Sequence, residues 1–311
     1  MEMLNMKLPL RGVIPPLVTP LLSNNEIDEE GLNNLIEHVI SGGIHGMFLL
    51  GTTGEATSLN YKLREKFVRK ACEINAGRIP VLVGITDTSF EDSIMMAERF
   101  KMAGADALVI APPYYIPISQ AEMMHYLEDL VPRLPLPFFL YNMPGYTKLH
   151  MSLETVELAK DLGSIGVKDS SGDMVYLYSL IDKFRDSPDF SIFAGTEIFL
   201  PGTIIQGGHG VVPGGANLFP RLFVDMYEAS VAGNIERIQQ LHKIMMKIYN
   251  TVYSVGKTSS KYTLGIKCAL SVMGICNDYA AQPLRKFDAE KCNKMRQYVE
   301  EIQEQLAYSH Q

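Results

Sequence analysis

The chain has 311 residues, enough for one large α/β barrel or for two ordinary domains. Its 28 basic and 35 acidic residues give a formal net charge of −7. The basic side chains are scattered among acidic ones, which argues against nucleic acid as a partner. No apolar run is long enough to cross a bilayer, and residues 1–10 lack the pattern of a secretion signal. We therefore expect a soluble cytoplasmic protein without a membrane partner.

Short apolar runs alternate along the chain with longer stretches whose apolar residues recur at helical spacing. Such repeated strand and helix units predict a parallel sheet with right-handed crossovers, and eight of them predict closure into a (β/α)8 or TIM barrel of the α/β class. Asp28, Ser152 and Asp173 can cap three of the helices. The predicted strands cover residues 12–18, 46–50, 80–85, 107–111, 137–141, 164–168, 190–194 and 208–212.

The last part of the chain has no further strand pattern. Residues 218–232, 235–255, 261–273 and 289–306 each show helical spacing of apolar residues. We interpret residues 1–217 as the barrel and residues 218–311 as a helical region packed on it. A small separate C-terminal domain is the alternative.

Lys168 is the most informative single residue. It ends the apolar run at residues 165–167 and precedes the polar turn at residues 169–173. At the carboxyl end of a barrel strand, an amine among apolar neighbours is held partly as the free base and can attack a carbonyl. Lys168 is therefore a candidate for forming a Schiff base. Alternatively, it is a strand-end lysine that extends into solvent or pairs with Asp169.

Other polar residues follow the strands at the same predicted mouth. Gly51-Thr52-Thr53-Gly54-Glu55 offers exposed amides and hydroxyls that suit a small carboxylate, although a threonine-capped turn is equally consistent with this pattern. Tyr115 and Tyr141 stand at two strand ends, where a phenol either transfers protons or simply packs with its hydroxyl in water.

Metal and phosphate chemistry have less support. The seven histidines show no close pairing on one helix or strand, so we expect no metal site. The glycine-rich segment at residues 207–215 could cradle a phosphate, but Pro213 and the lack of a nearby basic residue disfavour that interpretation.

Three motifs together resemble those of the dihydrodipicolinate synthase and N-acetylneuraminate lyase superfamily. They are residues 51–55, Tyr141-Asn142-x-Pro144, and residues 166–173, in the family's order and approximate separation. The resemblance covers nearly the whole chain. It implies a pyruvate-dependent class I aldolase or lyase, built as a barrel with C-terminal helices, that uses a covalent imine and no bound cofactor.

The resemblance also implies roles for individual residues. Lys168 resembles the lysine that condenses with pyruvate or another 2-keto acid, and Tyr141 resembles the tyrosine that relays protons. Thr52 and Thr53 resemble the pair that holds the keto-acid carboxylate and continues the relay.

Three further residues match family positions. Gly195 and Val212 correspond to residues lining the pyruvate pocket. Tyr115 resembles a tyrosine lent to a neighbouring subunit, which implies a homo-oligomer, either a dimer or a tetramer.

The chain departs from the family where a second substrate would bind. Tyr146 stands where dihydrodipicolinate synthases carry an arginine that grips a carboxylate, and a phenol cannot replace that bidentate charged contact. Glu197 matches an acid of the neuraminate lyases, but Thr196 stands where those lyases have another. We therefore predict a Schiff-base lyase acting on pyruvate or a 2-keto acid with an aldehyde.

The identity of the aldehyde stays open. One hypothesis is 4-hydroxy-tetrahydrodipicolinate synthesis. Another is an aldolase or dehydratase for a 2-keto-3-deoxy sugar acid or an N-acetylneuraminate-type substrate. A barrel that binds a keto acid without turning it over is a third, of a different class.

Overall fold

The structure is a computed structural model and describes residues 6–309. The strands in that range are β1 (Gly12–Val13), β2 (Leu21–Ser23), β3 (Glu26–Ile27), β4 (Met47–Leu49), β5 (Val81–Gly84), β6 (Ala107–Ile110), β7 (Phe138–Asn142), β8 (Ser164–Asp169), β9 (Ser191–Ala194) and β10 (Gly210–Val211).

Eight of these strands form one parallel sheet in the order β1, β10, β9, β8, β7, β6, β5, β4. Its two edges meet where the Leu17 amide donates to the Phe48 carbonyl and the Phe48 amide donates to the Pro15 carbonyl, both at 2.9 Å. The predicted TIM barrel is confirmed. Each of its strands overlaps a predicted run, and β7 and β8 extend one residue beyond theirs, to Asn142 and Asp169. The antiparallel hairpin of β2 and β3 was not predicted from the sequence, because its two strands are only three and two residues long.

The helices surround the barrel and continue beyond it. Asp28, Ser152 and Asp173 each accept a hydrogen bond from a backbone amide in the first turn of the helix that follows, as predicted. The helices are α1 (Glu29–Ser41), α2 (Tyr61–Asn75), α3 (Phe90–Met102), α4 (Gln120–Leu130), α5 (Pro144–Thr147), α6 (Leu153–Asp161), α7 (Met174–Lys183), α8 (Leu200–Ile205), α9 (Pro220–Val231), α10 (Ile235–Asn250), α11 (Lys261–Val272) and α12 (Ala289–Ser309).

One predicted helix is shorter than expected. Residues 235–255 were expected to form a single helix, but α10 ends at Asn250 and a 3-10 turn follows at Val252–Ser254. The Thr251 hydroxyl donates to the Lys247 carbonyl at 2.6 Å, and the Ser254 hydroxyl donates to the Asn250 carbonyl at 2.6 Å. These side-chain hydrogen bonds satisfy backbone carbonyls at the helix end and so compete with continuation of the helix.

Apolar side chains pack in two layers. A large core lies between the sheet and the helices, and a smaller cluster that includes Phe48, Val109, Phe139 and Phe193 fills the barrel interior. Because side chains alternate across a strand, every second residue of β7, β8 and β9 contributes to that interior. The interior cluster is the floor on which the candidate site is built.

The irregular segment between α11 and α12 returns to the barrel. The Asn277 side-chain amide donates to Asp28 at 2.8 Å, and the Ala281 backbone amide donates to Glu55 at 2.8 Å. The C-terminal helices are therefore tied to the loop that follows β4. Of the helices that the structure describes, none has both the length and the apolarity that a membrane crossing requires.

Candidate active site

Lys168 lies inside the barrel, one residue before the end of β8. It pairs in register with Tyr141 of β7 and Phe193 of β9, in a layer of the barrel interior. Gly166, two residues earlier on the same face, has no side chain, and a Cβ there would lie 2.5 Å from the Phe139 ring. The glycine thus lets that ring fill the space below the lysine. The amine is held above an apolar floor at the carboxyl ends of the strands.

The surroundings of the Lys168 amine favour its neutral form. The residue is 7% exposed, and its Nζ lies 4.1 Å from the Tyr141 ring centroid and 5.1 Å from the Phe48 ring centroid. Burial lowers the pKa of the amine, and Tyr141 opposes the shift. Within residues 6–309, no carboxylate lies at ion-pair distance from this amine.

Asp169 is engaged elsewhere. Its two carboxylate oxygens accept from the Asn142 side-chain amide at 2.7 Å and from the Ser171 hydroxyl at 2.9 Å. Both alternative interpretations of Lys168 are therefore wrong, since the amine neither extends into solvent nor pairs with Asp169. The strand alternation that turns Lys168 inward turns Asp169 outward.

The loop after β4 brings two threonines to the same mouth. Gly51 permits a tight turn against Phe48, because a Cβ there would lie 2.7 Å from the Phe48 ring. The Thr52 hydroxyl lies 3.3 Å from the Tyr141 hydroxyl, and Thr53 is buried beside the cavity that contains Lys168. Tyr141 thus contacts a hydroxyl on one side and stands beside the amine on the other.

Two adjoining cavities open at this mouth, with volumes of about 420 and about 290 Å³. They share Thr52, Tyr141 and Tyr146, and the smaller cavity also reaches Lys168. Among the described residues that line them, Lys168 is the one basic side chain. A ligand in these cavities would therefore meet hydroxyl groups, backbone, apolar surface and a single amine, together with Glu55 in the larger cavity and Glu197 in the smaller one.

The predicted pocket residues Gly195, Glu197 and Val212 also line the smaller cavity. Gly195 is required to be small, because a Cβ there would lie 1.8 Å from the Ser170 hydroxyl. The Glu197 carboxylate accepts from the Gly215 amide at 2.9 Å.

Glu197 is fully enclosed. Burial raises the pKa of its carboxyl to about 7, against the opposing effect of the Gly215 amide and of the Tyr253 and Tyr262 phenols. A carboxyl group with this pKa is substantially protonated near neutral pH, so it can donate as well as accept a hydrogen bond.

Tyr115 stands apart from the other predicted residues. It is 92% exposed and lines neither cavity, whereas Tyr146 lines both. Its backbone is left-handed with a φ of 80°, a conformation that costs energy in a residue other than glycine. The remaining predicted site residues converge on one mouth.

Several lining residues were not predicted from the sequence. Ser259, Ser260, Tyr262 and Thr263 come from the start of α11 and the turn before it, and Tyr253 comes from the preceding 3-10 turn. Their spacing resembles that of ordinary helix and turn residues, and the packing of the C-terminal region alone brings them to the mouth. Among residues 6–309, no three His, Cys, Asp or Glu side chains are grouped as metal ligands would be.

A closed parallel barrel with a buried amine, phenols and hydroxyls at the carboxyl ends of its strands is the architecture of a barrel enzyme. The chain belongs to the dihydrodipicolinate synthetase family, which it matches over residues 9–302, and this is a family of lyases.

Individual relatives span nearly the same length. A 4-hydroxy-tetrahydrodipicolinate synthase of Methanoculleus marisnigri is 31% identical over 291 residues, covering 93% of this chain and 98% of the relative. The solved dihydrodipicolinate synthase of Bacteroides thetaiotaomicron is 46% identical with a TM-score of 0.92, covering 95% of this chain and all of that one.

A third relative is YagE of Escherichia coli K12, whose name assigns it provisionally to the 2-dehydro-3-deoxy-D-gluconate aldolases. Its crystal structure in complex with pyruvate is 26% identical with a TM-score of 0.88, covering 95% of this chain and 99% of YagE.

Proposed function

We propose that the protein is a Schiff-base lyase that joins pyruvate, or a related 2-keto acid, to an aldehyde or releases it from the product. The observation that carries the proposal is the Lys168 amine, which is buried beside the Tyr141 ring and has no carboxylate partner in the range the structure describes. An amine in such surroundings is a nucleophile near neutral pH. The pyruvate complex of the relative YagE supports the choice of keto acid.

The chemistry follows from the side chains at the mouth. The Lys168 amine attacks the keto carbon, water leaves, and an imine forms. Loss of a proton from the neighbouring carbon gives an enamine, which adds to the aldehyde carbonyl. In the reverse direction the same carbon–carbon bond breaks. Because the imine accepts the electron pair, the reaction requires no metal or bound cofactor.

Other residues hold the substrate and move protons. The amides and hydroxyls of residues 51–53 bind the keto-acid carboxylate, and Gly195 and Val212 shape the pocket around it. The Tyr141 phenol transfers protons at the forming imine and exchanges them through the Thr52 hydroxyl, which lies 3.3 Å away.

Borohydride reduction tests the central step. Incubation with pyruvate and borohydride should add one reduced pyruvate to the wild-type protein, and peptide mapping should place it on Lys168. The matched control is Lys168→Arg, which keeps a cation but cannot form the imine. An adduct on another lysine, or none in the wild type, would contradict the proposal. Stabilisation by pyruvate without an adduct would favour the non-catalytic binding barrel.

Two aldehydes are candidates for the second substrate. The names of the relatives support aspartate semialdehyde, the partner in 4-hydroxy-tetrahydrodipicolinate synthesis. The lining favours a hydroxylated aldehyde, and hence a 2-keto-3-deoxy sugar acid. Tyr146 and Glu197 offer hydrogen bonds, and Lys168 is the one basic side chain among the described residues that line the two cavities. Turnover with pyruvate and each aldehyde, aspartate semialdehyde or glyceraldehyde, separates the two.

Tyr115 belongs to the proposal through a second copy of the chain. Its 92% exposure suits a side chain that completes a neighbour's site in a dimer or tetramer. Coexpression of the Lys168→Arg and Tyr115→Phe variants should then restore about a quarter of wild-type activity. Half of the dimers contain one copy of each variant, and in each of these one of the two sites has both Lys168 and Tyr115 intact. Activity that stays at the level of the two single variants would show that Tyr115 does not act across subunits.

A further inference from the structure

A second buried lysine lies behind the loop that follows β4. Lys267 of α11 and Glu55 form an ion pair, and each side chain is 1% exposed. Neither residue has a part in the chemistry proposed above. Burial of both charges is costly and is offset only by good geometry and further hydrogen bonds, so the pair requires a physical explanation.

Three groups of the C-terminal region hold the Glu55 carboxylate or its partner. One carboxylate oxygen accepts from the Ala281 amide at 2.8 Å, and the other contacts the Lys267 amine. That amine also donates to the Tyr279 carbonyl at 2.7 Å. The loop is thus fastened to both α11 and the segment after it.

Glu55 lies at the end of the loop that carries Thr52 and Thr53. Its backbone is left-handed with a φ of 57°, and its amide donates to the Thr52 carbonyl at 3.1 Å. A left-handed non-glycine residue persists only where its surroundings hold it. The side-chain contacts of Glu55 therefore help to fix the path of the preceding residues.

Helix α11 faces the same loop with two residues one turn apart. Thr263 lines both cavities, and Lys267, four residues later, lies on the same face of the helix. One helix face thus completes the wall of the site and holds the neighbouring loop.

We propose that the Glu55–Lys267 ion pair positions the loop at residues 51–54 and thereby sets the affinity for the keto-acid carboxylate. Both are positioning residues that act through Thr52 and Thr53. The effect on keto-acid affinity rests on the proposed function, whereas the positioning of residues 51–54 does not.

Steady-state kinetics with pyruvate test this role. Lys267→Met and the double variant Glu55→Gln/Lys267→Met should raise the KM for pyruvate about tenfold, roughly the contribution of one hydrogen bond to a charged group, with kcat less affected. The double variant leaves no unpaired buried charge, so it should regain thermal stability while its KM stays raised. It also carries the test if Lys267→Met does not fold.

Ile302→Ala is the matched control, since Ile302 is fully buried in α12 and belongs to no cavity described here. It should lower stability without changing the KM. An unchanged KM in the double variant, or an equal rise in Ile302→Ala, would overturn the positioning role.

Amide hydrogen exchange gives a readout that needs no turnover. Residues 52–56 should exchange faster in the double variant than in the wild type and at the wild-type rate in Ile302→Ala. Absence of an imine in the wild type contradicts the proposed function and leaves this result standing. Unchanged exchange in the double variant contradicts the positioning role and leaves the imine standing.

Discussion

The barrel mouth contains two buried lysines with opposite surroundings. Lys168 has aromatic rings beside its amine and no carboxylate from residues 6–309 at ion-pair distance, whereas Lys267 is paired with Glu55. Burial lowers the pKa of both amines, but a full negative charge opposes the shift at Lys267 and only Tyr141 opposes it at Lys168. In the functions we propose, the same residue type serves as a nucleophile in one place and as a structural cation in the other.

Activity should separate the two lysines most strongly. We expect Lys168→Arg to lower kcat by more than about a thousandfold, the scale on which loss of a nucleophile acts. Lys267→Met should affect kcat/KM by only about tenfold, because it touches no reacting atom. Initial rates of pyruvate-dependent turnover measure both. Comparable losses in the two variants would erase the distinction between nucleophile and positioning residue.

Stability should reverse that order. Lys267→Met leaves the Glu55 carboxylate buried without its cation, so we expect a loss of about 3–5 kcal/mol in the free energy of unfolding. Denaturant titration measures it, and Glu55→Gln/Lys267→Met serves as the control that removes both charges. A Lys267→Met protein as stable as the wild type would show that the carboxylate is reached by water or is protonated.

Of the features compared here, the sequence predicted the strands and Lys168 but not the ion pair of Glu55 and Lys267. The eight strands and Lys168 were predictable, because the alternation of runs and helical stretches is local and barrel chemistry collects at strand ends. The ion pair was not predictable. Glu55 was visible in its motif, but nothing local in the chain connects it to Lys267, and only the packing of α11 on the barrel brings them together.

The cavity-lining residues that were not predicted also reach the site through the packing of the C-terminal region on the barrel. Tyr253 and Tyr262 come from C-terminal segments whose pattern indicates only helix and core. Their position beside Glu197 depends on how those segments pack, which is a tertiary property. The sequence therefore specified the floor and one side of the site, while the fold supplied the opposite wall.

Glu197 is a buried acid that accepts hydrogen bonds but forms no ion pair with a described residue, in contrast to Glu55. Its folded pKa of about 7 lies above the usual 4.5, so the folded state holds the proton more tightly than the unfolded state. The associated stabilisation is complete below about pH 4.5 and is lost as the pH rises through about 7. A rise of the Glu197 pKa from 4.5 to about 7 corresponds to about 3 kcal/mol in the free energy of unfolding.

The matched variant is Glu197→Gln, which keeps the size and the acceptor for the Gly215 amide. The difference in unfolding free energy between wild type and variant should shift against the wild type by about 3 kcal/mol between pH 4.5 and pH 8. Denaturant titrations across that range measure it. A constant difference would show that the Glu197 carboxyl has an ordinary pKa and is stabilised by its surroundings as an anion.

The smallest expected effect, a change in stability in Lys168→Met, tests directly whether the Lys168 amine has a charged partner. Because the Lys168 amine is buried and no carboxylate of the described part of the chain pairs with it, Lys168→Met should remove a desolvation cost while keeping the packing against Phe48 and Tyr141. We expect the variant to be more stable than the wild type by about 1 kcal/mol and, under the proposed mechanism, inactive, since active sites are commonly maintained at the expense of stability. Denaturant titration of both proteins at pH 7 decides the sign. A loss of stability similar to that of Lys267→Met would mean that Lys168 is also a paired cation, and the contrast between the two lysines would fail.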